Sequence, residues 1–278
     1  MTQQASPGAA STQGPPGDRR GLEVLAVLGV SLGMSAVYAV LDYVRAEVTV
    51  QGGIGNATAT VIAGANTKYP LLDLADDLAG ILNGIVPPLL ALLLLARDPG
   101  GPGFGIGFAW TRTRTNVLAG LRYAAGSLRS DALWGFFFAA LIGLPGLGLV
   151  YLAHVLGLNA SLDVVNFPDV WYRVPYLLLS AFQNGLSEEI IVVGYLLTRL
   201  RQLGWSDSRA LAGSALLRGT YHLYQGYGAF IGNAVMGLIF GFWFQRTRRV
   251  LPLVIAHSVI DAASFIGFVY LHNRVAWI

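Results

Sequence analysis

The 278-residue chain is 54% hydrophobic and only 12% charged, well below the roughly 25% charged residues of a soluble domain. With no cysteine present, disulfide frameworks, thiolate nucleophiles and cysteine metal sites are all excluded. The formal net charge of +3 comes from arginines scattered through short segments between apolar runs, a pattern of membrane topology rather than of a nucleic-acid-binding surface.

Residues 1–20 are rich in Pro, Gly, Ser, Thr and Gln and predict a disordered cytoplasmic tail. The apolar run after Arg19-Arg20 continues without a small-residue cleavage pattern, so it reads as a retained helix rather than a signal peptide. Residues 21–278 then form a single membrane domain. Apolar runs follow at Leu22–Val44, Leu71–Ala96, Leu133–His154, Val174–Leu200, Ala210–Gln225, Ala229–Phe244 and Leu251–Leu271, most of them near the roughly 20 residues a helix needs to cross the hydrocarbon core. The expected fold is an all-α polytopic membrane helix bundle with seven transmembrane helices, or eight if part of the glycine- and arginine-bearing segment 99–130 re-enters from the cytoplasmic surface.

Pro87-Pro88 and the Gly-Leu-Pro-Gly stretch at 143–146 should bend two of these spans, and the Gly237/Gly241 spacing predicts close helix packing. With the N-terminus inside, thirteen arginines fall on the cytoplasmic side, against Arg45, Lys68, Arg173 and Arg274 outside. That bias predicts a cytoplasmic N-terminus. Lys68 is the only lysine among the eighteen basic residues; with abundant Ala, Gly and Leu this suggests a GC-rich bacterial genome, hence a multi-pass protein of the bacterial plasma membrane.

Six titratable residues well inside the apolar runs are at issue: Glu188, Glu189, Arg218, His222, His257 and Asp261. Charge at such depth costs at least a few kcal/mol and is kept where it lines a cavity, pairs or does chemistry. Counting a rise of 1.5 Å per residue from the nearest cytoplasmic arginine puts Glu188, His222, His257 and Asp261 roughly 16, 20, 12 and 18 Å below that boundary. Arg218 and His222 are four apart, as are His257 and Asp261, so each pair shares a helix face. The spacing predicts one buried polar cluster drawn from three helices. Asn184, four before Glu188, is placed to orient a carboxylate or to make an interhelical hydrogen bond. Asp73, Asp76 and Asp77, at the start of a helix where the dipole favours acids, read as structural, and His154 and His272 read as packing residues near span ends.

At these residues the sequence resembles the CAAX-protease and bacteriocin-processing (CPBP or ABI) family of intramembrane peptidases, which carries Glu-Glu-x-x-x-Arg, then Phe-x-x-x-His, then His-x-x-x-Asn or Asp on successive helices. The counterparts are Glu188-Glu189, His222, and His257 with Asp261, within a core at about 130–270. The resemblance implies an intramembrane endopeptidase, a type II CAAX prenyl endopeptidase-like hydrolase, acting on a membrane-associated protein or peptide in the lipid bilayer. Glu188 and His222 would position and deprotonate water, His257 would hold the oxyanion, and Asp261 would orient His257, with Glu189 completing the catalytic set. Two positions depart from the pattern: Val193 stands where the family has arginine, and Arg218 where it has phenylalanine. Arg218 is expected to restore the lost positive charge from the neighbouring helix.

Glu188, Glu189 and Asp261 against Arg218 leave two excess negative charges, which imidazoliums, protonated carboxylates or a divalent cation can balance. No metal is required in the favoured reading; zinc held by His222, His257 and Glu188 is the alternative chemistry. A non-catalytic membrane scaffold, or a transporter with a buried ion site, is the alternative function.

Overall fold

The computed structural model describes residues 16–64, 67–97, 117–272 and 274. Residues 1–15 of the expected tail and most of the expected surface or re-entrant segment, residues 98–116, lie outside them. Among the described residues nine α-helices run in the order α1 (Pro16–Gly29), α2 (Leu32–Thr49), α3 (Pro70–Ala96), α4 (Val117–Val155), α5 (Arg173–Glu188), α6 (Leu197–Gln202), α7 (Asp207–Tyr221), α8 (Tyr227–Thr247) and α9 (Leu251–Leu271). A π-helical stretch, Glu189–Leu196, joins α5 to α6.

The chain is a helical membrane bundle. Helices α3, α8, α9 and the Leu128–Val155 part of α4 are long and apolar enough to cross a membrane; α1 and α2 together make a fifth such unit, bent by 53°. The run expected at Leu22–Val44 is therefore broken, and α1 already begins at Pro16, inside the stretch read as tail. Pro87, Pro88 and Pro145 all lie inside continuous helices. The other two expected spans are those carrying Glu188 and Glu189, and Arg218 and His222. The Arg173–Gln202 path is divided into α5, of sixteen residues, the π-helical stretch and α6, and α7 is only fifteen residues long, short of the roughly 20 that span the core.

One feature departs from an all-helical chain. Strands β1 (Thr58–Ala63) and β2 (Ser161–Asn166) form a two-stranded parallel ribbon, Thr58 opposite Ser161 and Ile62 opposite Val165. The six-residue segments TATVIA and SLDVVN are rich in β-branched residues, which suit a pleated strand, but their pairing partners lie about a hundred residues apart. Val164 and Val165 pack with Leu177 and Ala181 of α5 and Phe265 and Phe268 of α9, seating the ribbon at one end of the α5–α9 pair.

The main core surrounds the π-helical stretch: Ile190, Ile191, Val192, Val193, Tyr195 and Leu196 are all buried, among Leu92 and Leu95 of α3, Phe240 and Phe244 of α8 and Leu253 and Val254 of α9. Four consecutive β-branched residues fit an α-helix poorly, and the wide π turn that accommodates them needs carbonyl partners from outside. Ser214 of α7 supplies one, its hydroxyl donating to the Val192 carbonyl at 2.8 Å.

Arg199 marks a correction. Counted from sequence as a cytoplasmic boundary residue, it is fully buried; its Nε donates to Glu23 of α1 at 2.7 Å, its Nη2 to the Leu94 carbonyl at 2.9 Å, and Tyr195 donates to the same Glu23 oxygen at 2.9 Å. Residue-by-residue reading could not see this, because Glu23 lies 176 positions away at the edge of the first apolar run. Removing one partner strands a buried charge at a cost of about 3–5 kcal/mol, whereas apolar replacement of both is often neutral. Glu23→Ala should thus markedly lower the melting temperature of the purified protein, and Glu23→Leu combined with Arg199→Met should recover most of it; a single variant melting like the native protein would show that the pair does not hold α1 in place.

Candidate active site

Three contacts between elements build the site. Helix α5 packs along α9, α7 along α8, and the π-helical stretch lies between them. The Gly237/Gly241 spacing serves the second contact: a Cβ on Gly237 would come within 3.0 Å of Ala215 Cα and 3.2 Å of Arg218 Cδ, so α8 closes directly over the Arg218 side chain. The Phe240 ring covers its guanidinium, 5.6 Å from centroid to Cζ.

All seven residues singled out from the sequence converge. Arg218, 0% exposed, donates through Nη1 to Glu189 Oε2 at 3.2 Å and through Nη2 to Glu189 Oε1, a bidentate pair; Nη2 also reaches Glu188 Oε2 at 3.3 Å. His257 places Nδ1 2.7 Å from Glu189 Oε1 and 2.9 Å from Arg218 Nη2. A ring nitrogen cannot accept from the guanidinium and donate to the carboxylate at once. With Glu189 as the anion, Nδ1–H donates to it, and the Arg218 contact is an approach of two donors to one carboxylate.

The opposite ring nitrogen, Nε2, then faces Asp261 Oδ1 at 3.6 Å and Glu188 Oε2 at 3.9 Å. Asn184 donates to Asp261 Oδ2 at 3.4 Å, so of the two roles open to it, it fixes the outer carboxylate and not Glu188. His222 is the C-cap residue of α7 rather than a mid-helix residue; its Nε2 lies 3.7 Å from Glu188 Oε2, beyond hydrogen-bond range, and neither ring nitrogen has a hydrogen-bond partner among the described residues.

The two adjacent glutamates are thus inequivalent. Glu189 is fully buried, with Arg218 and His257 on its carboxylate. Glu188 keeps a 13% exposed side chain, with Oε2 held and Oε1 without a hydrogen bond to any described residue. The wide turn begins at this junction, Glu188 ending α5 and Glu189 opening the π stretch, so consecutive carboxylates turn to separate tasks. π turns of this kind recur at functional sites.

Sequence reasoning missed Tyr221. Its hydroxyl donates to Glu188 Oε2 at 2.7 Å, it is buried, and its ring lies 4.8 Å from that of His222. A tyrosine next to a candidate histidine is an unremarkable signal in an aromatic-rich membrane chain; only the fold shows where its hydroxyl points. His272 packs as expected, stacked on Phe268 and bonded to its carbonyl at 2.8 Å. His154 is instead exposed and far from this cluster in the chain. Asp73 accepts from the Thr67 backbone and hydroxyl at 2.9 and 2.7 Å, a structural role at the start of α3.

Zinc, the alternative chemistry, would be held by His222, His257 and Glu188; among the described residues no three His, Asp or Glu side chains are arranged to hold a metal ion.

Arg218→Lys retains one charge but cannot bridge two carboxylates, since the ammonium lacks the planar fork; a large loss of activity in cleavage assays, with the folded state retained, is expected. Arg218→Phe paired with Val193→Arg should preserve more activity than either single change, and a double variant as inactive as the worse single one would show that charge position, not charge presence, is decisive. Tyr221→Phe should lower kcat with little change in KM.

Residues 170–263, which contain every residue of this cluster, match the family model described as type II CAAX prenyl endopeptidase Rce1-like. No curated protein and no solved structure matches the chain. The match and the acids and histidines within it support the resemblance to the CAAX-protease family over this part of the chain.

Proposed function

We propose that the protein is an intramembrane endopeptidase that hydrolyses a peptide bond of a membrane-associated protein or peptide without a metal ion, Glu188 acting as general base. The family match over residues 170–263 supports a CAAX-type endopeptidase. The observation that carries the mechanism is the asymmetry of Glu188: Oε2 is fixed by Tyr221 and Arg218 and Oε1 is unbonded, with Nε2 of the unpartnered His222 ring 3.7 Å from Oε2. A carboxylate so oriented can accept a proton from a water placed between it and His222. The hydroxide oxygen bonds to the substrate carbonyl carbon, and the carbonyl π electrons move to oxygen.

His257 stands beside this position with Nδ1 anchored on Glu189. Its Nε2–H, oriented by Asp261, supplies the donor for the developing oxyanion. Collapse of the tetrahedral intermediate breaks the C–N bond, and the proton held by Glu188 passes to the departing amine. Glu189 and Arg218 touch no reacting atom in this scheme; they hold His257 and Glu188 in place. With three carboxylates and one guanidinium, two imidazolium rings would bring the cluster to neutrality.

The seven-span topology with a cytoplasmic N-terminus, in the bacterial plasma membrane, belongs to the same reading. It is supported by the bias of basic residues, which stands at twelve to four once buried Arg199 is set aside; the Arg173–Gln202 path supplies one polar span, and α7 with the turn that follows it to Gln225 the other.

Glu188→Gln keeps shape and removes the base. In proteoliposomes with a farnesylated peptide ending in a CAAX motif, kcat should fall by about 10²–10⁴-fold while peptide binding persists. Unchanged turnover would refute Glu188 as base, and no cleavage by the native protein of this peptide or of the membrane peptides of its own cell would favour the scaffold reading. Activity should also survive exhaustive chelation; loss restored by added zinc would establish a metal mechanism.

A further inference from the structure

The two ends of the bundle differ in charge. Strands β1 and β2 and the tip of the α7–α8 hairpin meet at one end: Asn159, just before β2, pairs with Gly226, and Tyr227 N–H donates to the Leu158 carbonyl at 2.9 Å. At the other end, Gln245 of α8 donates to the Asp207 carbonyl at the start of α7 at 2.8 Å, and Arg249, just before α9, pairs with Asp131 of α4 at 2.7 Å. Arg201, Arg209, Arg246, Arg248 and Arg249 crowd this second end, whereas from α5 to α9 the ribbon end holds Arg173 and Arg274. Cytoplasmic loops of a membrane protein carry the excess of Lys and Arg, and on that rule the ribbon end is non-cytoplasmic.

The polar cluster is sealed toward the arginine-rich end. Every residue from Glu189 to Leu200 is buried, and Ser214 and Ala215 of α7, Phe240 and Phe244 of α8 and Leu253 and Val254 of α9 are buried as well; an interior packed like an organic crystal leaves no passage for a peptide. Exposure rises in the opposite direction. One turn toward the ribbon takes α7 from Arg218, whose side chain is 0% exposed, to His222 at 17%, and α9 from His257 at 4% to Asp261 at 20%. Helix length has the same sense. α7 has 15 residues and its antiparallel neighbour α8 has 21, so at 1.5 Å per residue α7 stops about 9 Å short of the ribbon end of α8. The 3-10 turn Leu223–Gln225 takes up that depth, and all three of its residues are partly exposed. Non-helical backbone at membrane depth persists where protein encloses it or where it lines a water-filled cavity, so the partly exposed turn directly after His222 marks the mouth of the site.

We propose that the site takes its substrate from the non-cytoplasmic side of the membrane, through a mouth beside the Leu223–Gln225 turn, and that the substrate is a translocated segment of a membrane-associated protein or peptide, not the C-terminus of a cytoplasmic protein. The inference rests on the endopeptidase reading and on the cytoplasmic N-terminus, and it adds the side from which the scissile bond arrives. Water for the hydrolysis enters by the same mouth, where Glu188, His222 and Asp261 keep exposed side-chain surface. The buried Glu189–Leu200 stretch keeps this hydrated pocket from joining the two sides of the membrane.

The chain contains no cysteine, so a single introduced thiol reports its own position. The test uses the full-length protein in intact spheroplasts and in sealed inside-out vesicles, with a charged, membrane-impermeant methanethiosulfonate reagent. His222→Cys probes the site, and Gln225→Cys on the adjoining turn repeats the measurement if the first variant does not fold. Ser208→Cys, exposed near the start of α7, marks the arginine-rich end. Positions 222 and 225 should react in spheroplasts and lose that reaction in inside-out vesicles, and position 208 should do the reverse. Reaction of 222 and 225 only in inside-out vesicles, or in neither preparation, overturns the mouth. In parallel, new N-termini are compared between membranes of cells carrying the native protein and cells carrying Glu188→Gln. New termini confined to non-cytoplasmic segments of membrane proteins support the proposal; new termini in cytoplasmic segments overturn it and leave the peptidase standing. Absence of new termini overturns the substrate together with the peptidase reading, and reaction at 222 from outside then still supports the mouth.

Discussion

Everything at the polar centre depends on the Arg218 guanidinium. Two adjacent carboxylates in a medium of low dielectric repel one another strongly, and each alone would carry a large desolvation penalty. A planar cation with five donors can meet both at once, and Arg218 does so, bidentate on Glu189 and reaching Glu188. Once Glu189 is neutralised it can hold His257 by Nδ1, and once Glu188 is held by one oxygen the other is left for chemistry. The charge is retained inside the bundle because Phe240 and the close approach of α8 at Gly237 exclude lipid and water from it.

This arrangement also accounts for the departures from the family pattern. The positive charge enters from α7, not from the helix bearing the glutamates, and the site it serves is the same pair of carboxylates. Val193 then becomes a core position, fully buried among apolar neighbours. A second buried arginine, Arg199, is committed elsewhere: with Glu23 and Tyr195 it fastens α1 to the far end of the π-helical stretch. The stretch carrying Glu189 is thereby held at one end by the ion pairs to Arg218 and at the other by the pair of Arg199 with Glu23.

Specificity of shape comes from the non-helical parts. The ribbon and the 3-10 turn after His222 form a small β-layer at one end of a helical bundle, tied together by Asn159, whose side chain accepts from Gly228 N–H at 2.8 Å. Lipid cannot satisfy exposed backbone groups, so irregular backbone at membrane depth survives only where protein or a polar cavity surrounds it.

Much was legible in the sequence because it depends on local composition. Apolar run length located α3, α4, α8 and α9, since a hydrocarbon core imposes a minimum length on any helix that crosses it. The cost of charge in that core singled out Glu188, Glu189, Arg218, His222, His257 and Asp261 before any coordinates, and helical periodicity grouped them. What the sequence could not decide were pairings between distant residues. Whether Arg199 faces a cytoplasmic boundary or Glu23, whether Asn184 serves Glu188 or Asp261, that Tyr221 points its hydroxyl at Glu188, and that residues 58–63 meet residues 161–166 in a ribbon are all set by how helices pack and where they break. Burial of a charge can be inferred from its neighbours in the chain; the partner that makes the burial tolerable is chosen only in three dimensions.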